Sequence, residues 1–238
     1  MIDTHRDVAA VVDELRSRGI NYDESQAPPH VTDGWHQDRL VVPLGREAPG
    51  EPEPDGLVSR ADDLVNDYEF TDPSILRAVY RAPGDLVGRD ILLEGRFLVL
   101  RFLLGVRITA ELDEVRSGPD GDERVVGWTY QTLDGHLEQG KLTYEIAKNL
   151  TTGEVEFRIV AYSRRGPIRN PLYRLGFRVF GRWTQERFYR AALTRLSSRL
   201  QNMPERPTPG EDGLVRVPTG TRPGRFEWLT VRILHPGA

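Results

Sequence analysis

The residues in this chain best suited to chemistry sit in one short connection, Asp134-Gly135-His136-Leu137-Glu138-Gln139-Gly140. A histidine two residues from a glutamate can serve as an oriented general base, with His136 taking the proton and Glu138 fixing the ring, or can offer two ligands to a metal. Structural zinc needs about four protein ligands and catalytic zinc about three, so two donors fall short and no metal site is expected. The competing reading is architectural: Gly135 and Gly140 shape a turn and His136 satisfies a backbone group. A second set is aromatic. Trp128, Tyr130 and Tyr144 recur at strand spacing beside this connection, and Tyr162 joins them if its strand is offset; tyrosine hydroxyls in a cavity can orient a ligand, although such rings are often plain core. A third is basic. Arg164, Arg165 and Arg169 precede a long helical pattern, where guanidinium groups and helix amides together can hold a carboxylate or phosphate. They could equally pair with Glu138 or with the acidic first part of the chain.

These groups are carried by the stretch from Glu123 to Ser163, which reads as three alternating segments separated by two turn clusters, an antiparallel meander. Val126, Trp128, Tyr130 and Thr132 share one face of the first segment. Leu142, Tyr144 and Ile146 share a face of the second, and Val155, Phe157, Ile159 and Ala161 of the third. From Pro171 the period becomes helical and runs to about Leu200, a length of about 45 Å. Arg174, Arg178 and Arg182 stack along it at i, i+4, i+8.

Ahead of the meander, Thr4 to Arg18 reads as an amphipathic helix with Thr4 in a capping-box position and Gly19 at its stop. Residues 20 to 38 show no clear period. Leu40 to Leu44 reads as a strand that Pro43 pushes to an edge. Glu47 to Gly56 alternates proline with acid and reads as an extended, solvated connector. Two short helices are then expected, Ser59 to Tyr68 and, with Asp72 as cap and Pro73 at its first position, Asp72 to about Tyr80. Strand patterns follow over Ile91 to Phe97, Val99 to Leu103 and Val106 to Leu112. The SGPDGD cluster at 117–122 and NLTTG at 149–153 read as hairpin loops. Near the end, Phe226 to Leu234 reads as an added strand.

This order predicts an α+β fold in which a curved antiparallel sheet wraps around a long C-terminal helix, with two short helices before the main strands. The expected division is an N-terminal helix and irregular acidic extension (1–55), the sheet-and-helix domain (56–200) and a C-terminal extension (201–238). Such an arrangement resembles the helix-grip architecture of lipid-transfer and pollen-allergen-like domains, a likeness that carries no function by itself. The spaced pattern from Gly127 through Trp128, Tyr130, Thr132, Leu133, Gly135, His136 and Glu138 to Gly140 is more specific. With Val155, Phe157, Ile159, Ala161, Ser163 and Arg164, it resembles the bacterial and plant family called domain of unknown function 1990. The likeness extends over Gly88 to Leu200 and, more loosely, over Ile20 to Asp72 through Asn21-Tyr22 and Gly34-Trp35-His36. Arg165 stands where that pattern often has proline, and the C-terminal extension lies outside it. The family is uncharacterised, so the resemblance implies no substrate.

Composition narrows the function classes. The chain has 238 residues and no cysteine, which removes disulfides, thiolate metal sites and cysteine nucleophiles and fits a cytoplasmic setting. Its opening residues lack a basic n-region and an apolar h-region, so no secretory signal is expected. No apolar run is long enough for a membrane span. No Walker loop, dinucleotide-binding glycine pattern, HExxH or GxSxG is present, and no cofactor is expected. The net charge of −4 hides an asymmetry: 17 acidic and 6 basic residues between Met1 and Asp72, against ten arginines and a single acid, Glu186, between Arg164 and Arg199. The acidic total disfavours nucleic acid as a partner, and the sequence leaves a homodimer open. The leading expectation is a binder of a small, partly apolar molecule in a cavity between sheet and long helix. An enzyme acting on such a molecule (a cyclase, isomerase or hydrolase) and a module docking through its arginine-rich helix are the alternatives.

Overall fold

The computed structural model describes residues 7–26, 34–82, 84–97, 100–167, 171–220 and 231–234, with backbone only at 97, 100, 171–185, 231, 232 and 234. In chain order these residues form α1 (Val8–Glu14), β1 (His36–Arg46), α2 (Leu57–Asn66), β2 (Leu76–Arg81), β3 (Asp90–Phe97), β4 (Leu100–Gly118), β5 (Gly121–Thr132), β6 (Glu138–Asn149), β7 (Glu154–Arg165), α3 (Pro171–Gln201), β8 (Leu214–Val217) and β9 (Val231–Leu234). One sheet takes all the strands, in the order β1-β7-β6-β5-β4-β3-β2-β8, every pair antiparallel. β9 adds parallel to the start of β4, where β5 no longer covers it. The architecture is helix-grip: α3 lies across the concave face, and its Phe188, Tyr189, Ala192, Leu196 and Leu200 share one buried core with Trp128, Tyr144, Ile146, Phe157 and Ile159. α2 completes that layer through Val58, Ala61, Leu64 and Val65.

Strand alternation explains which residues face that core. Ala161 and Ile159 on β7 point inward, whereas Tyr162 points to the convex side. The convex face has its own smaller apolar cluster, in which Val11, Val12 and Leu15 cover Val79, Leu92, Leu103 and Leu133. α1 is pinned there at both ends. Asp7 caps it by accepting from the Ala9 amide at 3.0 Å, and Arg107 donates to the Leu15 and Arg18 carbonyls at 2.9 and 3.3 Å while paired with Asp90 at 2.7 Å. The cap is therefore Asp7. Thr4 lies outside the described residues, as do Phe226 to Thr230 of the expected last strand.

Three expectations give way to tertiary context. The helix expected from Asp72 to Tyr80 is a turn followed by β2: Asp72 accepts the Ser74 amide, as a cap would, but Leu76–Arg81 is held between β3 and β8. The connector after β1 is not wholly solvated, because Glu47 is buried against Lys148 with side-chain exposures of 3% and 0%. The expected strands Val99 to Leu103 and Val106 to Leu112 form, from Leu100 on, a single β4 of 19 residues, and Val99 lies outside the described residues. β1 is an edge strand, with its register broken between Pro43 and Gly45, as the proline requires.

The first and last parts of the chain are built into this sheet, β1 beside β7 and β8 beside β2. Two glycines explain why neighbouring strands come so close. Gly127 has φ 144°, and a Cβ there would overlap the Tyr144 carbonyl oxygen; a Cβ at Gly140 would overlap the Tyr162 carbonyl oxygen.

Candidate functional site

The concave face carries a knot of aromatic rings contributed by four elements. Trp128 and Tyr130 come from β5, Tyr144 from β6 and Phe157 from β7; Tyr68 and Phe70 follow α2. Centroid separations are 4.7 Å for Phe70–Tyr144, 4.9 Å for Trp128–Tyr144 and 5.0 Å for Tyr68–Phe70, mostly edge-on or tilted. Tyr68 is placed by an unusual helix end. The Glu69 amide donates to the Leu64 carbonyl and the Tyr68 amide to the Val65 carbonyl, the paired bonds of a Schellman stop. That stop puts Tyr68 at φ 59°, a left-handed position usually given to glycine. A bulky residue held there costs about 1 kcal/mol or more of backbone strain, which must be offset by what its side chain does.

What the ring delivers is a hydroxyl. Tyr68 Oη lies 3.4 Å from Tyr144 Oη, and the Tyr130 ring packs against Tyr144 at a centroid separation of 6.1 Å. Burial pushes Tyr130 and Tyr144 well above the ordinary phenol range, and Tyr68 upward as well, so all three stay neutral donors at any physiological pH. Among them the Trp128 indole Nε1 is fully buried and has no hydrogen-bond partner. A buried N–H without a partner costs about 1–3 kcal/mol, so it marks a place where an acceptor belongs. Glu138 lies two positions before Gly140 and four before Leu142 on β6, hence on this same face.

His136 sits in the turn between β5 and β6, where Gly135 has φ 89° and the His136 amide donates to the Leu133 carbonyl at 3.0 Å. The ring is 8% exposed, and its Nδ1 accepts the Glu138 amide N–H at 2.9 Å. Burial lowers its pKa to about 4, against a smaller opposing effect of the Glu138 backbone. The ring is therefore neutral at physiological pH, and its Nδ1 also lies 3.1 Å from the Glu138 carbonyl oxygen. Its contact to Glu138 runs through the backbone amide, and the lone pair a general base would use is committed there.

The other candidates lie elsewhere. β7 keeps regular register with both neighbours at Tyr162, so no offset brings that ring to the concave face. On the convex side Tyr162 packs edge-on against Trp35 at 5.7 Å, and Trp35 against Tyr22 at the same distance. Arg164 lies over the Trp35 ring at 4.8 Å and donates to Gln139 at 2.8 Å, while Lys141 covers Tyr162 at 5.2 Å. Arg165 is exposed at the end of β7, opposite Glu138 in the register. The expected ligand-binding residues thus divide: Trp128, Tyr130 and Tyr144 come together inside, Tyr162 and Arg164 form a satisfied cluster outside, and Arg165 stands at the rim. Tyr68 and Phe70 were missed by sequence reasoning, although Tyr68 ends the apolar face of α2. Trp35 and Tyr22 belong to the spaced pattern but carry no signal of where they pack.

Among the described residues, no group of three or more histidine, aspartate or glutamate side chains could hold a metal ion, and no helix is long and apolar enough to cross a membrane.

No curated protein matches the chain. Among solved structures it is similar to the crystal structure of Ara h 8.0201, at 11% identity and a TM-score of 0.41, covering 71% of this chain and 99% of that one. It is also similar to a Thalictrum flavum norcoclaurine synthase point mutant in complex with a transition-state analogue, at 9% identity and a TM-score of 0.41, covering 72% of this chain and 98% of the other. The family model described as "Domain of unknown function (DUF1990)" matches residues 8–195, from α1 into the last turns of α3. The chain belongs to the DUF1990 family.

Proposed function

We propose that this protein binds a small, partly apolar molecule between the concave face of the sheet and α3, with the molecule presenting a hydrogen-bond acceptor to the cluster of Trp128, Tyr68, Tyr130 and Tyr144. The observation that carries this reading is the buried, unpartnered Trp128 N–H among neutral tyrosine hydroxyls. Aromatic walls supply the apolar contact, and donors that cannot ionise favour a carbonyl or ether oxygen over a cation. The strained Tyr68 backbone supports it, since strain at one well-packed side chain is a feature of sites rather than of plain core.

Binding without turnover is favoured over catalysis by His136. To act as a base, the ring would have to release the Glu138 amide and then gain a charge in a buried setting that already lowers its pKa to about 4. The test is native mass spectrometry of the protein purified from its own host, comparing the wild type with Ala161→Trp and His136→Asn. A co-purified molecule retained by His136→Asn but lost from a folded Ala161→Trp is the expected result, because Ala161 lies inside the core. Equal occupancy in Ala161→Trp would remove the concave face as the binding place.

A further inference from the structure

A cleft of about 660 Å³ runs along the flank of α3, outside the aromatic knot, between its C-terminal half and the turn that leads into β2. Its helix wall is one continuous face at i, i+3, i+4, i+7, i+8 and i+11: Arg187, Arg190, Ala191, Thr194, Arg195 and Ser198. Asp72 and Ile75 form the facing wall. Glu186 also borders it and pairs with Arg190 at 3.4 Å. Among the described lining residues, three guanidinium groups stand against two carboxylates. The carboxylates are also engaged elsewhere, since Asp72 accepts the Ser74 amide at 2.8 Å.

Of the three cleft guanidinium groups Arg195 alone is half-buried, and its Nε, like that of Arg199, is withdrawn from water with no hydrogen-bond partner. One turn on, Arg199 places a second guanidinium beside it, and Arg199 itself reaches Glu69 at 3.4 Å. Burial first, and Arg199 second, lower the Arg195 pKa from its ordinary value. A planar fork of donors held part-way out of water beside a like charge matches the oxygens of a tetrahedral anion. The volume is that of an ordinary small-molecule site, and Ile75 and Ala191 give it an apolar floor.

We propose that this cleft is an anion site for a phosphate monoester, with Arg195 as its central contact, Arg187 and Arg190 closing on the outer oxygens, and Ile75 and Ala191 packing on the body of the molecule. The site stands apart from the interior reading above. It uses the C-terminal half of the helix, where Arg187 and Arg190 are exposed.

The experiment is titration calorimetry of the full chain at low ionic strength with inorganic pyrophosphate as probe, alongside co-sedimentation with phosphatidylcholine vesicles with and without phosphatidic acid. Binding of pyrophosphate places the natural phosphate in solution; binding only to phosphatidic acid vesicles places it on a lipid headgroup. In either case Arg195→Gln is expected to weaken binding about tenfold, the loss of one charged bidentate contact. Ser198→Glu, at an exposed position that adds a negative charge inside the cleft, should do the same without touching the core. Arg206→Gln, an exposed residue paired with Asp63, should change nothing. Failure to bind either probe, or binding that both cleft variants leave intact, overturns the site.

Discussion

Lys148 on β6 donates to Glu47, just after β1, at 2.8 Å, with both side chains withdrawn from water. The pair is fully served: Lys148 also donates to the Glu51 carbonyl at 2.9 Å, and Glu47 accepts from the Glu53 and Val58 amides at 3.2 and 2.9 Å. Because the N-cap of α2 is Gly56, which has no capping side chain, Glu47 acts as the cap from a distance.

Removing one partner should be far worse than removing both. Lys148→Met leaves a buried carboxylate and is expected to destabilise the fold by about 3–5 kcal/mol, whereas adding Glu47→Gln should recover most of the loss. Chemical denaturation of the single and double variants measures this. Burial raises the Glu47 carboxyl, but its bonds from Lys148, Val58 and Glu53 outweigh that and leave it below its ordinary range. Its stabilising contribution is therefore present above the unfolded carboxylate pKa and lost as the pH falls through the lower folded value. In Lys148→Met, where burial acts on the carboxyl without its main partner, the stability gap to wild type should narrow as the pH falls and Glu47 takes up a proton.

His136 should dominate the milder acid range. Its folded pKa of about 4 lies below the unfolded value of 6.5, so the unfolded chain takes up the proton first. Stability should fall from about pH 6.5 down to about pH 4, by about 3 kcal/mol in all, and the contribution is exhausted below that. A denaturation series across this range should lose that slope in His136→Asn, and an imidazole NMR titration should find the ring neutral at pH 6.

Gly127→Ala is expected to be among the most damaging single-atom changes in the sheet. The new Cβ meets the Tyr144 carbonyl oxygen at a φ of 144°, so β5 and β6 must separate or the backbone must flip. A loss of about 3 kcal/mol is expected, read as a lowered melting temperature.

Tyr68 separates strain from contact. Tyr68→Gly relieves the left-handed backbone but empties the ring position, so it should lose about 2 kcal/mol or more from the core. Tyr68→Phe removes only the hydroxyl 3.4 Å from Tyr144 and should leave the melting temperature within a few degrees of wild type. If the interior holds an acceptor-bearing molecule, Tyr68→Phe and Tyr130→Phe should each weaken its retention about fivefold to tenfold, the scale of one hydrogen bond.

Much of this was legible in the chain because sheet alternation is strict. The faces of Trp128, Tyr130, Tyr144 and Phe157, the long helix from Pro171 and the edge position imposed by Pro43 all follow from periodicity and proline chemistry. What was hidden depends on partners distant in sequence. Asp72-Pro73 carries a helix-start signal, yet Leu76–Arg81 is drawn into the sheet because β3 and β8 offer it two edges. Glu47 reads as one more acid in a proline-rich connector until Lys148 is placed opposite. Tyr162 reads as a cavity residue if its strand is offset, and Arg164 as part of an anion-holding group before the long helix, until the register of β7 sends both outward to Trp35, a residue whose own neighbourhood has no sequence signal.

The pairing of β1 with β7, and of β2 with β8, also governs how the molecule must assemble. β3 to β7 can form by successive hairpins between neighbours, each a local search. The two outer seams instead wait for segments made much later, so closure of β1 onto β7 and of β2 onto β8 carries the large loop-closing entropy. A nascent chain that has finished its meander but not yet released Leu214–Val217 would hold β2 with an open edge, and that interval is when two copies are most able to zip together.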